Sequence, residues 1–234
     1  MAAYYEFCRL MDDLADEPGV ADPQAQLLAW EEEIVRVFHQ KAQTDLGKQL
    51  AQVVKEFKLP PDRFVLLIQG MLYDVNGKTY QTMHDLADYI YRVAVVVGLA
   101  TLDILEVKSP LTEQLAENLG SAVQLTNIIR DVTADAQLGR VYLPSDLLAR
   151  YGLTREEVLA QPSSCKLEPV LKHLDTLATK YYNQAEYLMG LLPRFKMLPC
   201  RMMGCVYAQN LAKIRKEGFC GTVPVKLTKT EKIV

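Results

Sequence analysis

The stretch Gln124-Leu125-Thr126-Asn127-Ile128-Ile129-Arg130-Asp131-Val132-Thr133-Ala134-Asp135 sets the terms for everything around it. On a helix, Asn127, Asp131 and Asp135 step by four along one face, with Gln124 beside them. Leu125, Ile128, Ile129 and Val132 flank that row. A row of carboxylates set among apolar side chains is costly to bury unless it meets cations. The segment therefore predicts a helix packed into a bundle, with its acidic row facing a cation site rather than open water.

A second pair lies near the start, in Tyr5-Glu6-Phe7-Cys8-Arg9-Leu10-Met11-Asp12-Asp13-Leu14-Ala15-Asp16-Glu17. Asp12 and Asp16 share one helical face, while Asp13 and Glu17 fall off it. Like charges at that spacing destabilise a helix unless something neutralises them. Two D-x-x-x-D pairs on separate helices can face each other across a bundle, where ligand and metal sites are commonly built. Carboxylates combined with waters and phosphate oxygens are the ligands Mg²⁺ prefers. Arg9, Arg130 and Arg140 suit phosphate oxygens, because a guanidinium grips them through two donors. A di-iron carboxylate bundle is the chemical rival. It would want Glu-x-x-His, and no histidine here follows a glutamate by three.

The rest of the chain reads as helix too. Prolines at 18, 23, 60, 61, 110, 144, 162, 169, 193, 199 and 224 leave long proline-free stretches between them. Apolar residues such as Leu27, Ile34, Val35 and Phe38, or Leu174, Leu177, Tyr181 and Leu188, recur at three- and four-residue steps. Eight helices are expected, over about 2–17, 24–57 (with a break near Gly47), 61–73, 84–107, 112–135, 145–160 (short or interrupted), 167–191 and 198–217. The one β-like stretch, Thr222-Val223-Pro224-Val225, is demoted by its proline. Val93 to Leu102 is apolar nearly all round, so its helix should be central. With no repeat and no linker, residues 1–234 read as one all-α domain.

Composition excludes several classes. The 234 residues are 50% apolar and 24% charged, with a net charge of −3. That argues against disorder and gives no general case for nucleic-acid binding. The Val93–Leu102 run is too short to span a bilayer, and the first residues lack a signal-type apolar core. Five cysteines without a CxxC pair and three scattered histidines make zinc a poor fit; reduced thiols in the cytosol are the plain reading. Cys8 is expected to pack rather than to react. Residues 1–36 hold nine acids and two bases, a net of −7, while residues 213–234 hold six bases and two acids, a net of +4. The basic tail offers a peripheral contact with an anionic membrane.

The two aspartate segments, followed by Gly139-Arg140-Val141-Tyr142-Leu143-Pro144, resemble the squalene/phytoene synthase family of head-to-head prenyl synthases. Gly70-Met71 with Asp74, the run Tyr80 to Gly98, and Val206-Tyr207 with Gly218-Phe219 resemble that family's middle and end. The resemblance covers essentially the whole chain. It implies an all-α isoprenoid synthase bundle with a central cavity. It also implies a reaction joining two allylic prenyl diphosphates through a cyclopropylcarbinyl diphosphate such as presqualene diphosphate.

By the family pattern, Asp12, Asp16, Asp131 and Asp135 would hold two or three Mg²⁺ ions, with Asn127 assisting. Arg9, Arg130 and Arg140, with Tyr5 and Tyr142, would contact diphosphate. Tyr89 and Gln124 would line the reaction chamber, Tyr89 by offering its ring face to a carbocation. Val93, Val97 and their neighbours would supply apolar lining or core. NADPH use has no nucleotide motif behind it. The chain departs from the pattern at Ala134, where relatives carry glutamate, and in its start. Met1 lies eleven residues before Asp12, so the helix that relatives carry ahead of the first pair is expected to be missing. The run Asp85 to Ala94 resembles the squalene branch of the family more than phytoene synthases, which implies farnesyl diphosphate as donor and presqualene diphosphate or squalene as product. Geranylgeranyl diphosphate with phytoene as product is the alternative. A protein that binds or hydrolyses prenyl diphosphate without coupling is the reading from another class.

Overall fold

The computed structural model describes residues 1–17 and 19–219. Within them the chain forms helices α1 (Ala2–Asp16), α2 (Pro23–Phe38), α3 (Asp45–Phe57), α4 (Asp62–Val75), α5 (Met83–Ile90) and α6 (Val96–Ile104). After these come α7 (Thr112–Gln137), α8 (Ser145–Arg150), α9 (Arg155–Ala160), α10 (Glu168–Gly190) and α11 (Leu198–Glu217). No strand occurs among the described residues. Residues 222–225 and most of the basic tail lie outside them. The start signals are local and chemical. Asp22 accepts from the Ala25 amide at 3.0 Å, and Pro23 opens α2 with its φ already set. Thr82 with Asp85, and Thr154 with Glu157, form reciprocal capping boxes at the starts of α5 and α9.

Three expected helices are interrupted. The segment 24–57 breaks at residues 39–44, ahead of Gly47. The cause is Glu33, which is 2% exposed. Its carboxylate accepts from the Gln43 amide (2.8 Å), the Thr44 amide (2.7 Å), the Thr44 hydroxyl (3.0 Å) and Arg36 Nε (2.7 Å). The turn is folded over this one acid. Gly47 sits inside the first turn of α3 because a Cβ there would come within 2.3 Å of Glu33 Oε1. The segment 145–160, expected to be short or interrupted, holds two short helices. The segment 84–107 contains a π-turn over Tyr91–Val95 between α5 and α6.

That π-turn lies between two glycines. A Cβ at Gly70 of α4 would meet Val93 Cγ1 at 2.5 Å, and one at Gly120 of α7 would meet the backbone of Ala94 and Val95 at 3.1 Å. Both neighbouring helices press close to the widened turn. Gly120→Val is expected to lower stability by about 2 kcal/mol, since backbone on the far side cannot swing away as a side-chain tip would. A urea midpoint unchanged from the parent would contradict this.

The apolar interior falls into two clusters. One is built from α1–α4, with Phe7, Met11, Ile34, Leu50, Phe64 and Ile68 among its buried members. The other is centred on α7 and α10, with Leu115, Leu125, Ile128, Leu171 and Leu174. The segment running through α5, the π-turn and α6 serves both. Leu86, Ile90, Val95, Leu99 and Leu102 belong to the second cluster, and Val96, Ala100 and Ile104 to the first. As expected, this helix is central. The seam between the clusters is where the polar residues collect.

Candidate active site

Helix α1 brings Asp12 and Asp16 to the seam from one side. Helix α7 brings Gln124, Asn127, Asp131 and Asp135 from the other. Between them lies a cavity of about 360 Å³, also lined by Arg9, Arg130, Tyr89, Tyr142, Asp74, Met71, Val93, Ile128 and Tyr207. The apolar flanks of the α7 row, Leu125, Ile128, Ile129 and Val132, are buried as the spacing requires.

Five carboxylates share this cavity, and their electrostatics reflect it. Burial, together with the charges of Asp131 and Asp16, pushes the Asp135 carboxyl up to about 8. Burial and Asp16 also raise Asp12. The arginines are already turned toward acids. Arg9 pairs with Asp13 at 2.8 Å and Asp12 at 3.5 Å. Arg130 Nε donates to Asp131 Oδ1 at 2.8 Å.

Arg140 meets the cavity through its acids, and its charge opposes the upward shifts of Asp12, Asp74 and Asp135. It pairs with Asp16 and donates to the Ala15 carbonyl at 2.7 Å, tying the end of α1 to the loop after α7. Tyr5 shares the face of Arg9, Asp12 and Asp16, but sits a further turn toward the helix start. It is 70% exposed and lines neither cavity described here. Asp13 and Glu17 lie off the cavity row, as their spacing requires. Burial pushes the Cys8 thiol up to about 12, which fits its expected place as a packing residue.

The sequence reading gave Asp74 no role. It is buried on α4 and accepts from Tyr89 at 2.9 Å and Tyr142 at 2.7 Å. Burial raises its carboxyl to about 6, against the opposing pull of those two hydroxyls. The Tyr89 and Tyr142 rings stack at 5.0 Å, and Tyr80 stacks on Tyr142 at 5.9 Å. Burial holds the hydroxyls of Tyr89 and Tyr142 well above their usual titration range, so they stay protonated donors. Met71 and Tyr207, named in the resemblance but given no role, also reach the cavity. The one available signal for Asp74 was its spacing from Gly70 and Met71 on an otherwise apolar helix.

Among the described residues, no three carboxylates, histidines or cysteines form a ready-made ligand set for one ion. The donor set nevertheless fits a hard divalent cation. It is all oxygen, it is mutually repulsive, and Asn127 Oδ1 is buried there with no hydrogen-bond partner. Mg²⁺ typically takes only one or two carboxylates and completes its shell with water and phosphate oxygens.

A second cavity, of about 330 Å³, adjoins the first. Val93, Gln124 and Asn127 line both. Beyond that junction the walls are apolar or small: Ala94, Val97, Gly98, Thr101 and Leu102 from the π-turn and α6, Leu115, Leu119 and Val123 from α7, and Cys200 and Met203 from α11. The site is thus a polyanionic chamber joined to a hydrocarbon-lined one. It can take a molecule with a highly charged head and a greasy tail.

Comparison with known proteins agrees in kind. A family model described as squalene/phytoene synthase matches residues 1–231. The phytoene synthase of Rhodobacter capsulatus is 34% identical over 221 residues, covering 93% of this chain and 65% of that protein. The chain therefore spans just under two thirds of that relative's length. The presqualene diphosphate synthase of Rhodopseudomonas palustris is 32% identical over 236 residues, covering 100% of this chain and 84% of that protein. Among solved structures, squalene synthase HpnC from Alicyclobacillus acidocaldarius superposes with a TM-score of 0.84 at 29% identity, covering 93% of this chain and 82% of that one.

Proposed function

Because the chain belongs to the squalene/phytoene synthase family, we propose that it joins two prenyl diphosphates head to head with release of pyrophosphate. Two farnesyl diphosphates are the favoured substrates, and presqualene diphosphate or squalene the product. The observation that carries this reading is the junction at Val93, Gln124 and Asn127, where the carboxylate chamber meets the apolar one. A prenyl diphosphate laid across it puts its diphosphate among the aspartates and its chain in the apolar cavity. Its allylic carbon then lies at the boundary, where the bond must break.

Asp12, Asp16, Asp131 and Asp135, with the unpartnered Asn127 Oδ1, would hold Mg²⁺. When bound, Mg²⁺ supplies positive charge that neutralises the diphosphate as it leaves. Arg9 and Arg130 line the same chamber and can pass from their aspartate partners to phosphate oxygens. The Asp74 carboxylate holds the Tyr89 and Tyr142 hydroxyls, and so fixes the stacked rings at the chamber wall. The apolar cavity keeps water from the carbocation, which would otherwise be quenched to an alcohol.

The Rhodopseudomonas palustris relative, matched along all of this chain, supports the C15 donor. The phytoene synthase relative keeps the C20 donor as the second reading. Incubating the protein with Mg²⁺ and either farnesyl or geranylgeranyl diphosphate, then analysing products by mass, tests both points. A coupled C30 product is expected from the C15 donor. Turnover of the C20 donor alone would overturn the chain length. Prenyl alcohol and phosphate without any coupled product would overturn the coupling.

A further inference from the structure

Large exposed apolar side chains are concentrated at one place. Of the twelve among the described residues, six fall between positions 187 and 203: Tyr187, Leu191, Phe195, Leu198, Met202 and Met203. They cover the end of α10, the turn after it and the start of α11. Phe195, at the tip of the turn, is 92% exposed.

The six do not scatter around the helices. Tyr187 and Leu191 are one turn apart on α10, and Leu198 and Met202 are one turn apart on α11. The Arg201–Glu186 ion pair bridges the two helices. The helices are joined by a short turn and run antiparallel, so the residue after each partner, Tyr187 and Met202, rotates to the same side. One face of this elbow is therefore apolar. A contiguous exposed apolar patch of this kind marks an interaction site.

Two further features say what fits it. Arg201 is answered by Glu186, and the stretch from Tyr187 to Met203 adds Arg194 and Lys196 and no acid, so the elbow is net positive in a chain whose net charge is −3. Lys196 reaches back to the Glu106 carbonyl at 2.7 Å, so its charge stays at the elbow against a neutral acceptor. The patch is also continuous with the apolar cavity: Pro199, Cys200 and Met203 are cavity wall, and Met203 is at the same time part of the exposed face. Apolar side chains ringed by bases are the chemistry of an anionic bilayer surface.

We propose that the α10–α11 elbow docks on an anionic lipid bilayer, with Phe195 and Leu191 entering the interface, and holds the mouth of the apolar cavity against it. The docking follows from the surface alone. Its use, letting a hydrocarbon chain pass between bilayer and cavity without crossing water, rests on the function proposed above. None of the described helices is long and apolar enough to cross a membrane, so the contact is peripheral.

Vesicle co-sedimentation of the full chain tests this independently of catalysis. The probes are phosphatidylcholine vesicles with and without about 30% phosphatidylglycerol. Binding is expected only with the anionic lipid. The double variant L191D/F195D alters two exposed side chains and should fold normally by circular dichroism. It is expected to weaken binding more than about tenfold. The variant K226Q/K229Q/K232Q, which neutralises the tail, should weaken it by less than about threefold. Absence of binding, binding untouched by L191D/F195D, or loss of binding in the tail variant alone would overturn the proposal. So would a concentration-dependent dimer that L191D/F195D dissolves, because a second copy would then be what covers the face. The product assay, run in detergent, reports separately on the coupling reaction.

Discussion

Asp135→Asn should cut kcat/KM for prenyl diphosphate coupling by about a thousandfold while making the metal-free protein more heat-stable. The two effects have one origin. Asp135 is pushed up to about 8 by burial and by Asp131 and Asp16, so in the metal-free fold it must take up a proton at neutral pH or carry a disfavoured charge, and either costs stability. An amide of the same shape keeps the packing and removes the repulsion, and Tm in the presence of chelator should rise by a few degrees. The same charge is what a cation–diphosphate complex needs. Removing one group that stabilises developing transition-state charge typically costs about 10²–10³ in rate, and a lost ion ligand adds to that. Steady-state kinetics at saturating Mg²⁺, paired with thermal melts in chelator, check both halves. Normal activity, or a lower Tm in chelator, would remove Asp135 from the role given to it.

The largest effect on stability is expected at Glu33, far from the chamber. Burial works against its charged form, but hydrogen bonds from Arg36, Thr44 and Gln43 outweigh it and hold the carboxyl below its ordinary range. Glu33→Ala would leave two backbone amides and a hydroxyl without their acceptor beneath the α2–α3 turn. A loss of about 2–4 kcal/mol follows, or about 5–15 °C in Tm for a chain of this size. The pH dependence has a definite sign. The folded-state pKa lies below the unfolded value of about 4.3, so Glu33 contributes its full stability above that pH. The contribution is lost as pH falls through the folded value. Urea midpoints measured at pH 7 and about pH 3 should therefore differ less in the variant than in the parent. An equal or larger difference would show that Glu33 is not the group responsible.

What could be read from the sequence follows from how far each signal reaches along the chain. The α7 row was legible because Asn127, Asp131 and Asp135 are spaced by four within twelve residues, and their apolar flanks declare which face is which. Helix α1 was legible for the same reason. Asp74 was not, because its meaning depends on Tyr89, fifteen residues on, and Tyr142, sixty-eight residues on. By itself it is one acid near the end of an apolar helix. The break at 39–44 was misplaced toward Gly47 because its fold depends on a buried acid ten residues upstream; the one local signal was Thr44, the N-cap of α3, whose hydroxyl accepts from the Gly47 amide. Tyr5 and Arg140 show the converse limit. Helical spacing puts Tyr5 on the right face and the motif puts Arg140 in the right loop. Only packing shows that the first stands out in solvent and the second is turned onto Asp16.

The π-turn between α5 and α6 bears on inheritance. An α-helix advances about 100° per residue, so it carries a frame, and one residue gained or lost re-addresses every side chain beyond it. In an unbroken helix Ile90 would be followed on its own face by Ala94, Gly98 and Thr101. With the wide turn it is followed by Val95, Leu99 and Leu102, which fill the α7–α10 core. Ala94, Gly98 and Thr101 are left as the slim wall of the apolar cavity. The emptiness of that cavity is thus written as a frame shift as much as a choice of residues. Tightening the turn to an ordinary α-turn with all its residues kept would send the bulky row into the cavity and the slim row into the core, with no room for a prenyl chain, whereas deleting one position in 91–95 would give a regular helix with both rows still in place. In descent, lengths on either side of this turn are free to drift only in the loops, and the turn itself must be kept or lost whole.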